Sequence, residues 1–295
     1  SSDLIRASWD ADELSLYGRF DFILAKDGTP KILEFNADTP TSLLEASVIQ
    51  WQWKEDVFPE CDQFNGIHEG LVQSWKDIFP KKGEIHFAGA LENNEDTGTL
   101  QYLASTAMEA GFSTRVLDMQ ALDLQNGRFF DPAGELVNRC FKLYPWEWMV
   151  DESPDGCLAE MEWLEPIWKL VMSNKAILAT LYELFPDSPY VLPCYLSRPR
   201  SGLFCKKPVF SREGHNVSVV DIRDWEEYVR IAETEGDYNT GAYVYQEYVE
   251  PTAYSGRYPV IGSWIIGGEA AGIGIRENRM EVTDNLSEFV PHIIG

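Results

Sequence analysis

The chain has 295 residues, 44% hydrophobic and 13% aromatic, enough to bury one large core or two subdomains of a globular protein. Its formal charge of -24 argues against nucleic acid or an anionic membrane as the main partner, and no apolar run approaches the ~20 residues of a membrane span. Five cysteines without Cys-x-x-Cys spacing and four histidines without ligand spacing argue against a disulfide scaffold and against zinc, so a reducing, cytoplasmic setting is expected.

In chain order, residues 1–16 read as a helix end containing Trp9, and a further N-terminal segment is expected ahead of them. Residues 17–38, YGRFDFILAKDGTPKILEFNAD, carry the densest chemistry. They read as two strands, 18–25 and 31–37, joined by a turn at Asp27-Gly28. Side chains alternate across a strand, so this turn sets Asp21 opposite Glu34 and Arg19 opposite Asn36 on one face. Phe20, Phe22, Leu24, Leu33 and Phe35 fall on the other face and are expected to anchor the ribbon in the core. Two carboxylates and an amide suit a hard cation such as Mg²⁺, and Arg19 beside them suits a phosphoryl group. A solvated face with cross-strand charge pairs would use the same residues, so the local pattern leaves both readings open.

Thr39-Pro40-Thr41-Ser42 reads as a helix start, with Thr39 as N-cap, Pro40 at the first helical position, and Leu44, Val48, Trp51 and Glu55 marking one stripe. The Thr39 and Thr41 hydroxyls and the helix N-terminus suit an anion, although plain capping explains them equally. A second amphipathic helix is predicted over 65–78, then a buried strand over 83–91 and a polar turn over 92–98. A helix over 100–111 ends at Gly111, and a strand follows over 113–118. The β–α–β order points to a parallel α/β unit, in which ligands sit beyond the strand C-termini. The loop carboxylates Glu95 and Asp96 fall there, facing either a cationic group or water.

The aromatic stretch 137–148, VNRCFKLYPWEW, reads as core or subdomain seam. A helix is predicted over 160–185, broken at Ser173-Asn174, with Lys175 in the first turn of its second half. A lysine there opposes the helix dipole unless an anion is present. Strands over 203–210 and 216–221 flank SREGH, a glycine-containing loop suited to folding over phosphates with Lys207 reaching the same oxygens, though single-glycine hairpins are common. A helix is predicted over 225–233. The strand over 241–249 suits a nucleotide-edge segment or a sheet interior, and the hairpin over 258–276 turns at Gly267-Gly268 and carries Arg276.

Taken together, YGRFDF, LEFNADTPTSLLEA, FKLYPWEW, EPIWK, SNKAIL, KKPVFSREGHNVS and IGSWIIGGEAAGIGIRE resemble the glutathionylspermidine synthase family over nearly the whole chain, most closely its stand-alone, amidase-free members. The resemblance implies a mixed α+β and α/β fold: an ATP-grasp ligase in rearranged order plus a parallel α/β substrate subdomain. It divides the chain into 1–64, the metal-ligand hairpin and following helix of the ATP-grasp core; 65–150, the substrate subdomain; and 151–295, the nucleotide and lid region. It also implies ATP and Mg²⁺, and a ligase that phosphorylates a carboxylate so that an amine displaces phosphate. No hydrolase activity is expected without the amidase domain of bifunctional members.

Matched by motif, Asp21, Glu34 and Asn36 would hold Mg²⁺, Arg19 would steady the transferring phosphoryl group, and Arg276 would close over it. Lys175 and Lys207 would hold ATP phosphates, Gly214 would belong to the lid, and Gln246, Glu247 and Tyr248 to the nucleotide-edge strand. Thr39, Thr41, Glu95 and Asp96 would bind substrate. The implied partners are a small-molecule acid, a peptide or amino-acid derivative, and an amine, with a polyamine as one option; neither nucleic acid nor membrane is expected. Two departures separate the chain from the synthetases themselves. SREGHN replaces an Ala-Gly-Arg-Cys-Gly-Ser type lid loop, and Leu143 stands at a substrate-contacting threonine. The alternative is a nucleotide-binding regulatory or adaptor protein without turnover; the complete metal set and both lysines favour the enzyme. A metal-dependent phosphohydrolase finds no candidate base.

Overall fold

The computed structural model describes residues 2–212, 214–223, 228–236, 241–279 and 287–295. Among them no helix is long and apolar enough to cross a membrane, and the five cysteines form no disulfide.

Helix α1 (Ser2–Asp10) leads into the hairpin β1 (Tyr17–Leu24) and β2 (Pro30–Asn36). Gly28 takes φ 82° and Asp27 Oδ1 accepts the Thr29 N–H, the turn chemistry Asp-Gly supplies. Arg19 lies opposite Asn36 and Asp21 opposite Glu34, as predicted, while a bulge past Asp21 brings Phe22 opposite Ile32. Burial reverses one expectation. Arg19 and Asp21 are 4% and 2% exposed, whereas Phe20, Phe22, Leu24, Leu33 and Phe35 are only half-buried. Glu34 and Asn36 are half-buried too, so it is Arg19 and Asp21 that go inside, where their opposite charges compensate one another.

The next helix starts at Leu43 rather than Thr39, because Ser42 at φ 64° interrupts any earlier start. It opens as a π-turn (Glu45–Ile49) and continues as α2 (Gln50–Val57). The wider turn rotates the inward stripe to Leu43, Ala46, Ser47, Gln50 and Lys54, leaving Val48 and Trp51 exposed, against the predicted Leu44–Val48–Trp51–Glu55 stripe.

Helix α3 (Ile67–Ile78) is followed by the expected parallel unit of β3 (Glu84–Gly89), α4 (Asn94–Glu109) and β4 (Ser113–Asp118). Helix α4 begins earlier than predicted, so Glu95 and Asp96 stand in its first turn and not in a loop. Asn93 caps it by accepting the Glu95 N–H at 2.9 Å. The strands β5 (Asp123–Gln125), β6 (Arg128–Phe130) and β7 (Leu136–Val137) form a small meander. Then β8 (Arg139–Leu143) returns parallel to β3, and α5 (Trp146–Glu152) follows.

The helix predicted over 160–185 resolves into β9 (Glu162–Leu164), α6 (Lys169–Ser173) and α7 (Ile177–Leu184). The break after Ser173 is as predicted; the earlier part is lost because Pro166 disfavours helix in the residues leading into it. Asn174 Oδ1 accepts the Ala176 N–H at 2.8 Å in the turn between the halves, and Lys175 sits just ahead of α7 and not in its first turn.

The strands β10 (Cys194–Tyr195), β11 (Gly202–Pro208), β12 (Ser218–Ile222), β13 (Tyr228–Glu233) and β14 (Tyr243–Glu247) form a sheet in the order β10-β14-β11-β12-β13. Strand β13 replaces the described part of the helix predicted over 225–233: pairing with β12 outweighs local helical pattern in Tyr-Val-Arg-Ile, and residues 225–227 lie outside the described residues. The predicted C-terminal hairpin is β15 (Tyr258–Ile266) and β16 (Glu269–Asn278), with β17 (Glu288–Val290) beside it.

A second five-stranded antiparallel sheet, β17-β16-β15-β1-β2, joins the N-terminal hairpin to the C-terminal one. A parallel sheet runs β4-β3-β8-β9. One hydrophobic cluster spans both, with Tyr17 and Trp264 from the first meeting Phe87 and Phe141 from the second, and Trp75 of α3 between them. This shared core holds β1 and the end of β8 in one frame.

Candidate active site at the meeting of three sheets

A cavity of about 1220 Å³ opens where the three sheets meet, and every candidate residue lines it. Strand β1 contributes Arg19 and Asp21, β2 contributes Glu34 and Asn36, and the bend after β2 contributes Thr39 and Thr41. The first turn of α4 adds Glu95 and Asp96, the segment before α7 adds Lys175, and β11 adds Lys207. Gly214 comes from the β11–β12 loop, Gln246, Glu247 and Tyr248 from β14 and its end, and Arg276 from β16.

Asp21 is the hub of the charged floor. Arg19 donates to its two oxygens at 2.6 and 2.9 Å, Arg276 Nη2 to Oδ2 at 2.8 Å, and Asn36 Nδ2 to Oδ2 at 3.2 Å. Arg19 also reaches the Thr41 carbonyl, tying the floor to the bend. Glu34 takes Lys175 Nζ at 3.0 Å and Asn36 Nδ2 at 3.3 Å. Lys175 is further held by the Ser211 carbonyl at 2.7 Å, and Lys207 by the Leu33 carbonyl at 3.0 Å. Gln246 lines the cavity, but its side-chain amide is spent on Lys207 at 2.7 Å and the Ile32 carbonyl at 2.8 Å, so it buttresses the lysine.

Burial alone would raise the Glu34 carboxyl, but Lys175 and Lys207 hold it down at about 2. Burial and neighbouring Arg19 lower the Arg276 guanidinium from its ordinary value, against the pull of Asp21. Arg19 rises despite burial because Asp21 grips it on two atoms. On the floor itself Arg19, Arg276, Lys175 and Lys207 face Asp21 and Glu34, a local surplus of positive charge suited to a polyanion, while Glu95 and Asp96 line another part of the cavity.

The donor chemistry also fits a hard cation. Among the described residues no group of three His, Cys, Asp or Glu side chains is placed for a metal; the groups this face could offer one are two carboxylates and an amide. Asn36 turns its amide nitrogen toward both carboxylates; a half-turn presents its oxygen instead, giving three oxygen donors of the kind Mg²⁺ takes together with water or phosphate.

Four residues escape sequence reasoning. Arg212 donates to Thr39 Oγ1 at 2.5 Å and Glu147 Oε1 at 2.6 Å and lies 5.7 Å from the Trp148 ring, docking the start of the β11–β12 loop against the bend at Thr39 and helix α5. Its position in SREGHN is the only signal, and nothing in spacing says what it reaches. Gly262 of β15 lies under Arg19, where a Cβ would come within 2.7 Å of Arg19 Cδ. Asp38 and Lys142 form a fully buried pair behind the floor, and separation in the chain hides it.

Comparison with known proteins places the chain in a family. Residues 1–295 match the family described as glutathionylspermidine synthase preATP-grasp. A protein of Haemophilus influenzae named "Putative acid–amine ligase" is 39% identical over 304 residues, covering 98% of this chain and 77% of its own length. Trypanothione synthetase of Crithidia fasciculata is 28% identical over 319 residues, covering 97% of this chain; the chain spans 48% of that relative. A solved structure described as a "Putative gamma-glutamylcysteine synthetase" from Methylobacillus flagellatus KT superposes with a TM-score of 0.64 at 11% identity, covering 99% of this chain and 83% of that one, a likeness of fold. Matched from end to end and 39% identical to one of its relatives, the chain belongs to the glutathionylspermidine synthase family.

Proposed function

We propose that the chain is an ATP-dependent ligase that joins a carboxylic acid to an amine. The observation carrying this reading is the Asp21–Glu34–Asn36 face, with Asp21 buried and Glu34 and Asn36 half-buried, flanked by Arg19, Arg276, Lys175 and Lys207, in a cavity whose other wall presents Thr39, Thr41, Glu95 and Asp96. The names of the relatives, an acid–amine ligase and a trypanothione synthetase, support the same chemistry.

In this reading residues 1–64 and 151–295 form an ATP-grasp core in rearranged order, and 65–150 the substrate subdomain. Asp21, Glu34 and Asn36 would hold Mg²⁺, which would supply neutralisation of the phosphate charge. Lys175 and Lys207 orient the nucleotide phosphates beside the β14 edge, where Glu247 and Tyr248 flank the base, and Gly214 lets the lid loop approach them. Thr39 and Thr41 position the acid. Its carboxylate oxygen attacks the γ-phosphorus, the bond to ADP breaks, and Arg19 and Arg276 stabilise the charge spread over the phosphoryl oxygens. Glu95 and Asp96 hold the cationic part of the amine. The neutral amine nitrogen then attacks the acyl phosphate carbon, phosphate leaves with the bonding pair and takes up the proton the nitrogen loses, and an amide remains. Leu143 in the cavity wall gives the acid pocket an apolar patch where the synthetases place a hydroxyl.

The test is phosphate release from MgATP across a panel of acids, glutathione included, each with and without polyamines and amino acids. Release that needs one acid and one amine together is expected, and Asp21→Asn should lower it by at least about 100-fold with the fold intact. Release indifferent to the amine, or Asp21→Asn at wild-type rate, refutes the assignment. Silence across the panel with MgATP still bound favours the non-catalytic, nucleotide-binding alternative.

A further inference from the structure

Two lysines are buried behind the site without lining the cavity. Lys142 of β8 is 0% exposed; its Nζ donates to Asp38 Oδ1 at 2.7 Å and the Tyr144 carbonyl at 2.9 Å and lies 4.4 Å from the Trp146 ring. The second Asp38 oxygen accepts the Trp146 N–H at 2.9 Å. From another element, Lys169 of α6 donates to the Tyr17 carbonyl at 2.9 Å and the Ala37 carbonyl at 3.0 Å, balanced by the fully buried Glu165 at 3.4 Å.

Both grips converge on one dipeptide. Ala37 and Asp38 are the two residues between Asn36, the last residue of β2, and Thr39, where the bend toward Thr41 begins. Lys169 also holds Tyr17, so it pins both strands at the open end of the β1–β2 ribbon. Buried ion pairs contribute little net stability compared with apolar side chains of similar volume, because desolvation offsets the attraction. Burial indeed lowers Lys142 from its ordinary value while Asp38 opposes it. Such pairs do fix geometry: each charge tolerates few partner positions, and losing one partner leaves the other buried and uncompensated.

We propose that Lys142 with Asp38, and Lys169 with Glu165, are positioning residues that hold Ala37–Asp38 so that the cation-binding face and the acid-binding bend share one rigid frame. The identity of the cation and nucleotide rests on the ligase reading above; the clamp itself rests on the burial of these four side chains and the hydrogen bonds they make.

The experiment measures ATP affinity by titration calorimetry with excess Mg²⁺ and again with EDTA, alongside the melting temperature. Wild-type protein should bind ATP more tightly with Mg²⁺. Lys142→Met alone should melt lower, because Asp38 is left buried and unpaired. Asp38→Asn with Lys142→Met removes both charges, keeps an acceptor for the Trp146 N–H, and should melt within a few degrees of wild type. In that double variant the Mg²⁺-dependent gain in ATP affinity should shrink by about tenfold, as for outer-shell partners of metal ligands. Affinity in EDTA should stay at the wild-type value, since Lys175 and Lys207 sit on other elements. A double variant with the full Mg²⁺ gain overturns the inference, as does equal loss with and without Mg²⁺, which marks general distortion. Should that variant not fold, Glu165→Gln with Lys169→Met, relieving the second grip, is read by the same two affinities. Wild-type protein whose ATP affinity ignores Mg²⁺ refutes the cation reading and this inference with it, whereas failure in the variants alone refutes only the clamp.

Discussion

At the scale of single residues, Glu34 links the site to pH. Its carboxyl is held at about 2 in the fold, against an ordinary value of 4.5, by Lys175 and Lys207 overcoming burial. A depressed value means the folded state resists protonation, so this contribution is complete above about pH 4.5 and is lost as pH falls toward 2. Glu34→Gln should therefore be less stable than wild type at pH 7, by on the order of 3 kcal/mol at most, and should converge with it near the acid end. Urea unfolding from pH 7 to 2 checks this, and parallel stability curves for the two proteins would sink it. The facing of Asp21 and Glu34 was legible because strand alternation and an Asp-Gly turn determine register locally. Which face is buried was not, since alternation separates two faces without saying what covers either. Arg212 and Lys142 were hidden for a related reason: their partners Thr39, Glu147 and Asp38 are distant in the chain.

At the scale of elements, β15 supplies space as well as hydrogen bonds. Gly262 pairs with Asp21, and Arg19 packs directly over it. Gly262→Ala should act in opposite directions on two readouts. Alanine in a strand interior limits the unfolded chain and adds roughly 0.5–1 kcal/mol in an unobstructed site. Here the methyl group meets Arg19 and shifts the guanidinium off Asp21, which should lower ligase turnover by about tenfold or more while the melting temperature changes little. Turnover within twofold of wild type would show that Arg19 has no positional demand. The β3–α4–β4 unit was readable because its periodicity and Gly111 cap are local. The first part of the 160–185 helix and residues 228–233 were misread where Pro166 and the pairing of β13 with β12 outweighed a helical pattern. Helix α2 turned its stripe because of a π-turn that no residue pattern announces.

At the scale of the whole molecule, the site depends on a pairing between opposite ends of the chain. Strand β1 lies between β2 and β15, and β15 between β1 and β16, so the carboxylate ribbon is an interior part of a sheet completed by C-terminal residues. Local sequence signals mark each hairpin but not their mutual pairing, which closes only after the intervening chain is ordered, an expensive loop to close and a slow one to form. The pairing is nonetheless built into the main core: Tyr17 and Trp264 stack at 6.1 Å and join the cluster containing Trp75, Phe87 and Phe141. The amides of β1 and β15 should therefore exchange with solvent only through global unfolding, with the full denaturant dependence of the slowest amides in α3 and α4. Strand β13, an edge strand with all six residues exposed, should exchange by local opening and show little denaturant dependence. Native-state hydrogen exchange resolved by residue separates the two classes. Exchange of β1 and β15 well ahead of α3 and α4 would mean that the carboxylate ribbon opens as its own unit, and that Asp21 and Glu34 are assembled by ligand instead of by the core.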